Sequence, residues 1–143
     1  MGDLYCFGCS QTNPKGLHLE VHPEGDQMVA FFTPTIEHSG WQNIVHGGLI
    51  CTVMDELTGW VTHALGQSCV TAKLETHFDA PVHVGERVRA QAKAIHVTRR
   101  LITVEAQVIG AEDGRLRAHA TATMVVVTPQ KAEKYDIDTT LTQ

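Results

Sequence analysis

The sequence predicts an α+β fold in which one long central helix is wrapped by a curved antiparallel sheet of about five or six strands. The first observation behind this is a single helix candidate from about Gly47 to Leu65, with Ile50, Val53, Met54, Leu57, Val61 and Ala64 at helical spacing. The second is that this segment has no Lys or Arg, and Asp55 and Glu56 are its only formal charges. A helix of several turns on a surface carries a charged face, so this one is expected to be enclosed by protein. The third is that strand-like segments flank it on both sides, two before and four after.

Taken in order, Leu17, Leu19 and Val21 alternate with His18, Glu20 and His22, the period-2 pattern of a half-buried strand. A second strand is expected at about Met28–Thr33. After the helix, strands are expected over Cys69–Phe78, Arg87–Val97, Leu101–Ile109 and Leu116–Val127, divided by Pro81, Gly85, Arg99-Arg100 and Asp113-Gly114, and the four read as a meander. In the last, Leu116, Ala118, Ala120, Ala122, Met124 and Val126 share a face, and so much alanine implies that another element packs close against it. One domain over residues 1–128 accounts for these elements, with a polar tail over 129–143.

Composition narrows the functions. A chain of 143 residues with 43% hydrophobic and 19% charged residues suits one globular domain. A formal charge of −5 argues against broad attachment to nucleic acid or anionic lipid. Eight of the 11 Lys and Arg residues fall between Lys73 and Arg117, so an anionic ligand would be met there. The opening Met1-Gly2-Asp3-Leu4-Tyr5 lacks a basic segment followed by an apolar run, and His38–Met54 is too polar to span a membrane. A cytoplasmic location is expected, with the four cysteines as reduced thiols.

Two features carry chemistry. The His46-Gly47-Gly48 turn opens the helix, where unpaired backbone N–H groups and the positive dipole end coincide, and two glycines let a ligand approach the backbone. Such a terminus stabilises the negative charge that develops on a carbonyl oxygen during acyl transfer. Asp55 lies nine residues on, in a stripe of small residues formed by Cys51, Thr52, Thr58, Gly59 and Thr62, which leaves room for a second molecule to reach its carboxylate. The competing structural readings are a buried, hydrogen-bonded carboxylate for Asp55, a cap for His46 and a tight turn for the glycines.

Cys6-x-x-Cys9 with His18 and His22 suggests zinc, but in a strand the two histidines would stand about 13 Å apart. Zn–N bonds of about 2 Å do not allow that. No metal and no cofactor are expected. Glu56 reads as a helix-face or interface charge.

From Cys6 to Val127 the chain resembles the PaaI-like hotdog acyl-CoA thioesterases. The resemblance rests on Cys6-Phe7-Gly8-Cys9, Asn13-Pro14-Lys15-Gly16-Leu17, His46-Gly47-Gly48 followed by Asp55-Glu56, Val70-Thr71-Ala72, Phe78-Asp79-Ala80-Pro81-Val82 and Arg99-Arg100. It implies that His46 and the Gly47 amide engage a thioester carbonyl, that Asp55 is nucleophile or general base, and that Thr71 helps place the water or the acid. It also implies a site built between two protomers. The position six before the histidine, often Asn in that family, is Gly40 here, and Asn43 stands three before it. By strand alternation Thr71 points away from the apolar face of Val70, Ala72, Leu74 and Phe78, which an interface location would reconcile.

The function expected is hydrolysis of an acyl-CoA thioester by a homodimer or homotetramer. Asp55, His46, Gly47 and Thr71 would be catalytic, with Gly48, Asn43 and Trp41 at the substrate and Arg99 and Arg100, or Arg115 and Arg117, at the phosphates. A Ser-His-Asp mechanism lacks its G-x-S-x-G elbow. The alternatives are a hotdog enoyl-CoA hydratase or dehydratase and a non-catalytic acyl-thioester-binding module.

Overall fold

A computed structural model describes residues 4–139, so Met1–Asp3 and Thr140–Gln143, parts of the expected domain and tail, lie outside the described residues. The strands before the helix are β1 (His22–Glu24), β2 (Gln27–Phe32) and a small hairpin of β3 (Ser39–Trp41) and β4 (Ile44–Val45). Helix α1 (Gly47–Ala64) follows, then β5 (Cys69–Phe78), β6 (Val88–Val97), β7 (Leu101–Gly110), β8 (Leu116–Val126) and a short α2 (Pro129–Lys134). Six strands form one antiparallel sheet in the order β1-β2-β6-β7-β8-β5, and α1 packs across its inner face.

The alternation of small apolar residues builds that inner face. Ala90 and Ala92 of β6, Val104 and Ala106 of β7, and Ala118, Ala120 and Ala122 of β8 are all buried in one cluster with Ile50, Val53, Met54, Leu57 and Val61 of α1. The alanines of β8 leave depth for the helix to settle against the sheet. Fully burying the larger α1 side chains contributes about 1.5–3 kcal/mol each.

Two expectations need correction. Leu17–Val21 is not a strand: Leu17 and Leu19 are buried, but their N–H groups donate to the carbonyls of Phe7 and Gly8, at 2.8 and 2.9 Å, and His18 takes a positive φ of 53°. The alternation came from a loop laid over the core. The last four strands are not one meander either, because β5 skips β6 and β7 to pair with β8 at the far edge. Only β6, β7 and β8 are joined by successive hairpins. Within this chain Thr52, Asp55, Glu56, Gly59 and His63 of α1 are half-buried along one side. The polar tail opens with α2, capped by Thr128, whose hydroxyl accepts from the Lys131 N–H.

Candidate functional site

Asp55 reaches the surface from the half-buried side of α1. Its Oδ1 accepts a 2.7 Å hydrogen bond from the hydroxyl of Thr71 on β5, and that hydroxyl also lies 3.5 Å from Met124 Sδ. Thr71 faces the helix because of a β-bulge. Thr71 pairs with Met124 and Lys73 with Thr123, so Ala72 is the extra residue, and Leu74 and Thr76 resume the inner face opposite Ala122 and Ala120. This overturns the simple alternation that turned Thr71 outward. Bulges re-aim side chains in this way beside functional sites.

A cavity of about 230 Å³ opens over the pair, with Asp55, Glu56, Trp60, His63, Cys69 and Thr71 among its walls. Burial pushes the Cys69 thiol up, which makes it a poor nucleophile. Thr58 donates to the Asp55 backbone carbonyl at 2.7 Å and so leaves the Asp55 carboxylate to Thr71.

At the N-terminus of α1, His46 is the cap: its Nδ1 accepts from the Gly48 N–H at 2.9 Å. That bond occupies the Gly48 amide, whereas the Gly47 amide has no hydrogen-bond acceptor among the described residues, as expected for the first turn of a helix. A Cβ on Gly47 would press to 3.3 Å from the Phe78 ring. A second cavity, of about 370 Å³, lies beside Gly47 and is walled by Ile50, Phe78, Pro81 and Val82. Gly40 also has a steric reason, because a Cβ there would lie 2.7 Å from His46 Cα. No larger residue fits that position without a shift.

The two features do not meet within one chain. Eight residues of helix separate Gly47 from Asp55, about 12 Å at 1.5 Å per residue. On β5, Phe78 beside Gly47 and Thr71 beside Asp55 are seven residues apart, about 23 Å. The remaining candidates scatter. Asn43 holds a positive φ of 62° in the β3–β4 turn, and its carbonyl accepts from Val84 N–H at 3.2 Å. That conformation favours Asn for its own sake. Trp41 is 76% exposed.

Arg99 and Arg100 are exposed in the β6–β7 turn, at the same end of the sheet as Thr71: Leu101 and Val70 both pair with Val125. Neither arginine joins an ion pair among the described residues. Arg117, by contrast, is committed to Glu86 and to Asp113 at 2.8 Å. Sequence reasoning took Trp60 as a packing residue and Phe78 only as part of an apolar strand face, and gave His63 no role, although Phe78 lies in a motif and His63 lies eight residues, about two turns, beyond Asp55.

The comparisons bear on the family and the fold. A hypothetical thioesterase of Streptococcus pneumoniae TIGR4, solved with coenzyme A, matches with a TM-score of 0.71 and 21% identity over 76% of this chain and 84% of that one. The Streptococcus mutans UA159 protein smu.793, bound to acetyl CoA, matches with a TM-score of 0.71 and 21% identity over 76% and 87%. Zebrafish thioesterase superfamily member 2 matches with a TM-score of 0.74 and 16% identity over 82% and 89%. At these identities the likeness is one of fold. An uncharacterized protein of Schizosaccharomyces pombe is 36% identical over 63 residues, which are 43% of this chain and 36% of that protein. Residues 42–117, more than half of the chain and including both the His-Gly-Gly turn and the Asp55–Thr71 pair, match the thioesterase superfamily. A long helix held by a six-stranded antiparallel sheet, joined to that match, makes the chain a hotdog-fold member of the thioesterase superfamily.

Proposed function

We propose that the protein hydrolyses an acyl-CoA thioester to free acid and CoA, in a site completed by a second copy of the chain. The observation that carries this is the 2.7 Å hydrogen bond from Thr71 to Asp55 Oδ1 at an open cavity. It holds one carboxylate oxygen in place and leaves Oδ2 with no donor among the described residues. Oδ2 is then available either to take a proton from water as that water attacks the thioester carbon, or to attack that carbon itself. In the first route the proton held by Asp55 passes to the departing CoA thiolate. In the second a mixed anhydride forms, CoA leaves, and water then cleaves the anhydride.

The carbonyl oxygen gathers negative charge in either route. The Gly47 amide at the α1 N-terminus is suited to meet it, with His46 bracing the turn through Gly48. Because these groups stand about 12 Å from Asp55 along their own helix, the amide must come from the partner.

Assembly through β5 is the economical way to bring the halves together. Among the described residues β5 pairs only with β8, which leaves one edge of a ten-residue strand open, and Val70 and Phe78 on it are 42% and 57% exposed. A two-fold axis there gives a homodimer, which can pair again into a tetramer. The phosphates of CoA would meet Arg99 and Arg100. The Streptococcus pneumoniae and Streptococcus mutans proteins of the same fold carry coenzyme A and acetyl CoA, which supports this choice of substrate class. No described helix is long and apolar enough to cross a membrane.

The test is an acyl-CoA panel read by free-thiol release. Turnover that disappears in a folded Asp55→Asn variant supports the proposal. Loss of enoyl absorbance without thiol release points to a hydratase, and binding without turnover to a binding module.

A further inference from the structure

Three donor side chains that the proposed reaction does not use converge beside the Asp55 cavity. Cys6 Sγ lies 3.4 and 3.2 Å from the two carboxylate oxygens of Glu56. One donor atom from each of Cys6, Cys9 and Glu56 falls within 4.8 Å of the others, and all three residues are half-buried. The fold holds this cluster from both sides. Glu56 is fixed on α1, and the loop carrying the cysteines is tied by Ser10 N–H to the Cys6 carbonyl at 3.0 Å and by the bonds from Leu17 and Leu19 to Phe7 and Gly8. Gly8 is buried between the cysteines, and a Cβ there would collide with the Glu56 carboxylate.

The cluster lacks a counter-charge. Among the described residues Glu56 joins no ion pair, and its side-chain partners are the Cys6 thiol and Trp60 Nε1 at 3.2 Å. Burial, and then the neighbouring Glu56 carboxylate, push the Cys9 thiol upward. A half-buried carboxylate facing two thiols is a poor hydrogen-bonding arrangement, but it is a good donor set for a soft divalent cation. A tetrahedral ion with Zn–S near 2.3 Å and Zn–O near 2.0–2.2 Å places its ligand atoms about 3.5–3.8 Å apart. The cluster is within about 1 Å of that geometry.

We propose that Cys6, Cys9 and Glu56 bind one zinc-class divalent cation, which clips the N-terminal loop to α1. On binding, each thiol releases its proton to solvent as the metal–sulfur bond forms, and Glu56 exchanges the Cys6 hydrogen bond for a metal–oxygen bond. Water takes the fourth position, since no fourth His, Cys, Asp or Glu joins the group among the described residues. Two thiolates select a zinc-class ion over magnesium or calcium. The histidines weighed against zinc in the sequence play no part here: His18 is turned to the Asn13 carbonyl at 2.6 Å. The third donor comes from a residue 50 positions from Cys6, which local spacing cannot reveal.

The test reads metal binding and is independent of turnover. The full chain, reduced and stripped of metal, is titrated with Co²⁺ and then Zn²⁺. One equivalent of cobalt should give a thiolate-to-cobalt charge-transfer band that zinc displaces, and zinc should protect two of the four cysteines from a thiol-reactive dye. Cys6→Ser and Cys9→Ser should each abolish the band, and Cys51→Ser should retain it. Glu56→Gln, which preserves the side chain's shape and whose folding is checked by circular dichroism, should weaken cobalt binding at least about tenfold. The proposal fails if no such band appears, if Cys6→Ser or Glu56→Gln binds cobalt as the parent does, or if a Cys6–Cys9 disulfide forms where zinc should have bound.

Discussion

The two edges of the sheet are built in opposite ways. β1 is three residues long, contains Pro23, and pairs with β2 at only three positions. Proline and shortness are both ways of blunting an edge against further pairing. β5, at the other edge, runs for ten residues without proline, exposes Val70 and Phe78, and carries Thr71 against Asp55. One edge is closed to partners and the other is kept open, and the open edge is the one beside the candidate chemistry. On the proposed mechanism the two halves of the site lie apart in one chain, and the open β5 edge is where a second copy would complete it.

The sharpest way to break this comparison is Asp55→Asn, which keeps volume and hydrogen bonding but removes the anionic oxygen. We expect a folded protein whose kcat falls by about two orders of magnitude or more, with substrate binding little changed. Near-parental kcat would make the carboxylate structural. Val70→Lys comes next. It puts a charge on the exposed apolar edge that a β5–β5 pairing would cover, so light scattering should show monomer and activity should track the residual dimer; a fully active monomer would end the shared-site reading.

Thr71→Val removes the hydroxyl and keeps the shape. Loss of a hydrogen bond to a charged group, about 1.5–3 kcal/mol, corresponds to roughly a ten- to hundredfold drop in kcat. Replacing both Arg99 and Arg100 with alanine should raise KM for acyl-CoA about tenfold, the scale of one exposed charge-assisted contact, and leave kcat intact. A KM that does not move takes the phosphates elsewhere. The smallest effect belongs to the blunted edge: Glu24→Gln breaks the exposed pair with Arg89 and should change neither kcat nor Tm measurably.

Glu56→Gln sharpens the same comparison within the helix. Glu56 projects about 100° around α1 from Asp55, so its loss should reduce kcat far less than Asp55→Asn. If Glu56→Gln is the inactive variant, the reactive carboxylate is the other one.

The sequence by itself determined the class of fold and the contents of the core. Helical spacing from Gly47 and the absence of Lys and Arg there marked α1 to within one residue of its end, and alternation marked β5 to β8 to within about one residue. These signals are local, since a side chain's face follows from its place in a period of 3.6 or 2. Local too was the list of candidate groups, His46, Gly47 and Asp55 among them, because motif spacing is a property of the chain. What only the tertiary structure decided depended on residues far apart in sequence. The bulge at Ala72 turns Thr71 inward through the register of β5 on β8, and pairing across 16 residues brings its hydroxyl to Asp55. The position of β5 at an open edge follows from strand order, to which alternation is blind. Leu17 and Leu19 alternate like a strand yet bond to Phe7 and Gly8, because burial of every second residue requires only a surface to lie on, and here a loop lies on the core.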